Sequence, residues 1–149
     1  MFLKIILGLA AAFALFWTIK TRKTFPAIIT LGMIAGVLTI LFQVRAVQFP
    51  GIHLYMGSVA FAFIYGLTVK EKETKARIII CLMSASIFIY WLWILNHWHG
   101  NEMLAPALVL AAGAAGIIMK VKVKNEAGFL VILAADAIAI IIERVLELT

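Results

Sequence analysis

Six apolar runs, residues 3–19, 26–44, 53–69, 77–95, 103–119 and 127–148, take up nearly the whole chain, with only short polar links between them. At 1.5 Å per residue, runs of this length make helices of roughly 25–33 Å, matched to a bilayer core of ~30 Å. A segment in lipid must satisfy its own backbone groups, which a helix does and a lone strand does not. The expected fold is therefore all-α: a polytopic membrane bundle of about six transmembrane helices, forming one domain over residues 1–149. The first run is short, so an interfacial or re-entrant helix and a count of five stay open.

A water-soluble domain of this size is excluded by its want of polar cover. Hydrophobic residues are 65% and charged residues 13%, with a mean hydropathy of +1.11; soluble domains carry about 45–50% and about 25%.

The basic residues supply orientation. Lys20, Arg22 and Lys23 follow the first run, Lys70, Lys72, Lys75 and Arg77 the third, and Lys120, Lys122 and Lys124 the fifth. Only Lys4, Arg45 and Arg144 of the thirteen lie elsewhere. Positive charge on alternate links assigns those links to the cytoplasm and both termini to the outside, as in a multi-pass protein of the inner (plasma) membrane. The same clustering explains the net charge of +6 without nucleic acid, for which a continuous basic stripe is expected. Ala12-Phe13-Ala14 mimics a signal-peptide cleavage site, but Lys20–Lys23 follow at once and oppose export, so the first helix is expected to be retained. Cys81 is the sole cysteine, so neither a disulfide nor a cysteine metal site can form within the chain.

Three hairpins beginning near Leu3, Ile52 and Asn101 repeat at a spacing of 49 residues, and Gln48-Phe49-Pro50-Gly51 aligns with His97-Trp98-His99-Gly100. Either the hairpin is tandemly triplicated, or bilayer thickness imposes regular spacing on unrelated helices.

The sixth run carries the chemistry. Asp136 falls near its middle, where a charge costs roughly 2.5–3.5 kcal/mol, so it must face the bundle interior or a wet cavity. At 100° per residue, Glu143 and Glu147 lie within about 20° of it and Arg144 about 80° away. One reading is an ion path with Asp136 deepest and Glu143, Glu147 and Arg45, the last ending the second helix on the outer side, above it. The other is a buried aspartate hydrogen-bonded to a neighbouring helix, with two ordinary interfacial acids. On the outer side, His53, His97, His99 and Glu102 offer a donor set for Zn²⁺ or Cu²⁺, or an imidazole for haem; short exposed loops also gather such residues by chance. Tyr90, Trp91, Trp93 and Trp98 fit an aromatic belt at the headgroups. Gly113 and Gly116, within Ala111–Gly116, and Gly32 and Gly36 in a Gly-x-x-x-Gly, permit close helix approach. They place the fifth helix either at the bundle centre or at an oligomer contact. No phosphate loop, acyl-transfer triad, zincin motif or CxxC is present, so catalysis is not expected.

His97-Trp98-His99-Gly100-Asn101-Glu102-Met103-Leu104 resembles the outer turn of the helical hairpin in GldL, the gliding-motility motor subunit of Bacteroidetes, and Gln48-Phe49-Pro50-Gly51-Ile52-His53-Leu54 resembles it again. The family's turn reads His-Trp-Pro-Gly, then Met-Leu, and faces the periplasm. The resemblance covers about eight residues per turn and implies a Bacteroidetes-type inner-membrane protein. His99 replaces the proline, and residues 105–119 lack the family's ion-carrying acid, so no site residue transfers.

Three functions are compatible with these features. They are transport or ion translocation past Asp136, a non-enzymatic accessory subunit meeting a membrane-protein partner or its own copies, and an outer-face metal or redox module. The bilayer is a partner of each.

Overall fold

The computed structural model describes residues 2–41, 45–98 and 100–147, with backbone alone at 2–3, 40 and 45–49. Six helices follow one another: α1 (Phe2–Thr21), α2 (Thr24–Leu41), α3 (Arg45–Thr68), α4 (Thr74–Leu95), α5 (Leu104–Ile118) and α6 (Ala127–Glu147). Three stretches, Lys4–Thr21, Pro50–Thr68 and Thr74–Leu95, are long and apolar enough to cross a membrane, while Thr24–Thr39 and Leu104–Ile118 are apolar but shorter.

Each helix packs against the next, and α6 fills the space between α1 and α5 while also touching α2 and α4. This makes α6 the hub. From Gly128 to Ile140 its buried residues cover well over half of the helix circumference, as expected of a helix with neighbours on several sides, and Val131, Ala134 and Ile138 mark the face left uncovered. A Cβ on Gly128 would stand 3.2 Å from both the Thr18 and Thr30 hydroxyls, so α6 lies close to α1 and α2 there. The α2–α3 pair is also tight: at Gly36 a Cβ would sit 2.7 Å from Tyr55 Cβ, and at Gly32 it would collide with Ser58.

The outer flank stays apolar. Leu9, Phe16, Ile19, Phe25 and Ile28 project from α1 and α2, Phe61 and Ile64 from α3, and Ile117 and Ile118 are about four-fifths exposed on α5. The basic turns converge at one end. Trp17 Nε1 donates to the Lys124 carbonyl at 2.6 Å, joining the end of α1 to the α5–α6 link, and Lys72 Nζ donates to the Lys122 carbonyl at 3.4 Å.

Helix ends are made without glycine. Trp98 N–H bonds to Trp93 O and His97 N–H to Ile94 O, both at 3.2 Å, and α5 ends the same way with Val121 to Gly116 O and Lys120 to Ile117 O. This is the Schellman pattern, which needs a left-handed residue just past the helix. His97 (φ 51°) and Lys120 (φ 50°) fill that position, and Arg22 (φ 51°) adopts it after α1.

Some expectations need correction. Arg45 opens α3 rather than closing α2, and α3 runs eight residues ahead of the His53 start expected from hydropathy. A helix tolerates Arg45 and Gln48 in its first turns, where an apolar window does not. The stretch 48–51 is consequently helical, with Pro50 inside α3, whereas Asn96–Trp98 and Gly100 lie outside helices, so the two aligned junctions differ in conformation. Of the two places expected for the fifth helix, the bundle centre is taken by α6 instead, and the oligomer-contact alternative is untouched. Of α5 only Pro106, Val109, Ala112 and Gly116 are buried. The hairpins are unequal as well, pairing helices of 20 and 18, 24 and 22, and 15 and 21 residues.

Candidate functional site

Among the described side chains of the helices, Asp136 is the most deeply buried charged group, 5% exposed. Its Oδ2 accepts two hydrogen bonds, from Tyr55 Oη of α3 at 2.8 Å and from Trp91 Nε1 of α4 at 3.1 Å. The Tyr55 and Trp91 rings meet edge to face, with centroids 6.3 Å apart and planes at 74°, which fixes both donors toward the same oxygen. Tyr90 also meets Trp91 edge to face, with centroids 5.8 Å apart. The cluster therefore ties together three helices through one carboxylate.

A second cluster repeats the motif toward the basic end. Glu126, fully buried just ahead of α6, accepts a hydrogen bond at Oε1 from Tyr65 Oη at 2.9 Å. Lys72 Nζ lies 3.2 Å from Oε2, at ion-pair distance but out of line for a hydrogen bond. Phe129 braces Tyr65 edge to face at 6.4 Å. Tyr55 and Tyr65 stand ten residues apart on α3, as do Glu126 and Asp136 in and just before α6. Ten residues of helix rise ~15 Å. The paired numbers run in opposite directions, so two tyrosine–carboxylate bonds clamp antiparallel helices in one register. The backbones of α3 and α6 do not otherwise come close, and the long phenol side chains bridge the gap.

Above Asp136 the acid face of α6 runs on to Glu143 and Glu147 at the end of the helix. Glu147 pairs with Arg144 at 2.9 Å, Arg144 also pairs with Glu102 of the α4–α5 link, and Glu143 is exposed. Arg144 thus joins the end of α6 to the loop beside it. The side chain of Arg45 lies outside the described residues.

His53 and His97 are exposed, the latter at a helix-ending backbone position, and Glu102 is engaged by Arg144. His99 lies outside the described residues, among which no group of three His, Cys, Asp or Glu side chains is placed to hold a metal. Of the four outer aromatics, Trp93 and Trp98 pair at 6.2 Å, and Trp93 Nε1 donates to the Trp98 carbonyl at 2.7 Å. Trp91 instead turns inward to Asp136. Gly116 packs on Ile79 of α4, where a Cβ would stand 3.1 Å from Ile79 Cδ1, whereas Gly113 keeps a looser 3.8 Å to Met83.

Sequence reasoning singles out Asp136, assigns Trp91 to the aromatic belt and Lys72 to a basic link, and passes over Tyr55, Tyr65 and Glu126. The available signal is the shared ten-residue spacing of the two tyrosines and the two acids, meaningful only once their segments are paired antiparallel. Comparison with protein-family models, with curated proteins and with solved structures finds no match.

Proposed function

We propose that the chain is a six-span protein of the inner membrane, with its basic turns in the cytoplasm, and that it serves as a non-enzymatic accessory subunit. The observation that carries the membrane reading is the gathering of the lysine-bearing turns at one end of a bundle whose flanks are apolar. Charge confined to one end and hydrocarbon around the girth match the asymmetry of a bilayer protein. The accessory reading draws on the polar interior. Asp136, Glu126 and Arg144 are each engaged by side chains of other segments, an arrangement suited to holding helices rather than passing ions.

The test of the first part is accessibility of single cysteines in intact cells, on a Cys81→Ser background. Cysteines at Glu71 and Lys122 are expected to resist an impermeant maleimide, and one at Asn96 to react. Labelling at the first two would overturn the orientation, and release of the protein from membranes by alkaline wash would overturn immersion.

Ion translocation is the second reading, favoured by the depth of Asp136 among three helices. Proton and Na⁺ flux into proteoliposomes decides between them. Background flux for both wild type and Asp136→Asn supports the accessory role, and flux abolished by Asp136→Asn overturns it.

A further inference from the structure

The basic end holds a cavity of about 630 Å³ between the α1–α2 turn, the last two turns of α3 and the α3–α4 turn. Its size falls within the range of roughly 300–1,000 Å³ that small-ligand sites occupy. The lining is divided by chemistry. Lys23, Lys70 and Lys72 border it, and Phe25, Phe61 and Ile64 form a wall that continues onto the exposed apolar flank of α2 and α3. Among the described residues, Lys23 and Lys70 have no ion pair, while Lys72 is drawn inward to Glu126. Glu71 is the one acid in the lining, leaving cations in excess.

A site with free ammonium groups at one end and an open hydrocarbon wall at the other suits an amphiphile with an anionic head. We propose that this cavity binds the headgroup phosphate of an anionic phospholipid, with Lys23 and Lys70 as its counter-ions and an acyl chain lying along Phe61 and Ile64. The proposal rests on the membrane reading above, because a lipid enters only if the flank of α2 and α3 faces hydrocarbon. The Tyr65–Glu126–Lys72 cluster forms the back of the site: Tyr65 and Lys72 line the cavity while their polar atoms hold Glu126. Headgroup binding and the α3–α6 clamp would thus share residues.

The test uses the full-length protein reconstituted in nanodiscs of phosphatidylcholine with a minor fraction of phosphatidylglycerol, followed by native mass spectrometry of the released protein. Retention of one phosphatidylglycerol in preference to phosphatidylcholine is expected. At ~1 kcal/mol per surface lysine, Lys23→Gln with Lys70→Gln should weaken retention roughly tenfold to thirtyfold. Lys120→Gln with Lys124→Gln removes the same charge outside the cavity and should leave it within about twofold. Equal loss in both double variants would reduce the effect to general surface potential and overturn the site. Displacement of the lipid by millimolar inorganic phosphate would assign the cavity to the free anion and overturn the lipid. A chain that enters nanodiscs without lipid preference sinks this proposal alone, whereas one that fails to enter them sinks the membrane reading.

Discussion

Removing the Tyr55 hydroxyl is the most informative single perturbation, because Tyr55→Phe deletes one oxygen and leaves the packing of a side chain that is 2% exposed. The lost bond is 2.8 Å long and ends on a carboxylate. Hydrogen bonds to charged groups contribute ~1.5–3 kcal/mol in soluble proteins, while interhelical ones in membranes average ~0.6 and reach ~1.7. Trp91 continues to hold Asp136, so a loss of about 1–2 kcal/mol is expected. Asp136→Leu orphans both the Tyr55 and Trp91 donors and should cost ~3 kcal/mol. With Tyr55 already Phe, the same change orphans only Trp91, so the double variant should lose less than the sum, with a coupling of about 1 kcal/mol. The assay is reversible unfolding in mixed micelles titrated with dodecyl sulfate, each variant being checked for an unchanged far-ultraviolet spectrum. Additivity within ~0.3 kcal/mol would refute the claim that these groups act as a unit. So would a stability gain on Asp136→Leu alone.

Other substitutions test the packing and the turns. Gly36→Val sets a branched side chain against Tyr55, whose Cβ lies 2.7 Å from where the first added carbon would stand, and should cost ~2–3 kcal/mol in the same titration. Lys120→Gly relieves a left-handed residue at φ 50° and should raise the unfolding midpoint by the equivalent of ~1 kcal/mol, an unchanged or lower midpoint counting against the turn geometry. The Ser84 hydroxyl is buried with no hydrogen-bond partner among the described residues, so Ser84→Ala should be neutral or stabilising by up to ~1 kcal/mol. Tyr65→Phe frees Glu126 from its only aligned side-chain donor among the described residues and should destabilise by ~1–2 kcal/mol, an effect that Glu126→Gln should blunt in the double variant.

Hydropathy locates α4 and α6 closely, because their apolar runs of 77–95 and 127–148 coincide with Thr74–Leu95 and Ala127–Glu147 to within a few residues. It misplaces the start of α3, since Arg45 and Gln48 interrupt hydrophobicity without interrupting hydrogen bonding. The convergence of the basic turns is legible too: helices that run alternately up and down return alternate links to one end. The cost of burying Asp136 is equally plain, and so is its need for shelter. Its partners are not, since Tyr55 lies 81 residues away and Trp91 45, and only helix adjacency brings them together. Trp91 reads as a headgroup anchor because its neighbours Trp93 and Trp98 sit near the bundle end. Two residues of helix, about half a turn, separate Trp93 near the bundle end from Trp91, which donates inward.

The hub of the bundle is also the helix made last of the six. During synthesis at ~5–20 residues per second, five helices emerge before the one that joins them. Tyr55, Tyr65 and Trp91 must wait without their carboxylate partners while α4, α5 and the intervening links are completed. Loss of α6 therefore removes the keystone rather than an edge, and a chain shortened before Ala127 should be degraded as an unassembled set of hairpins.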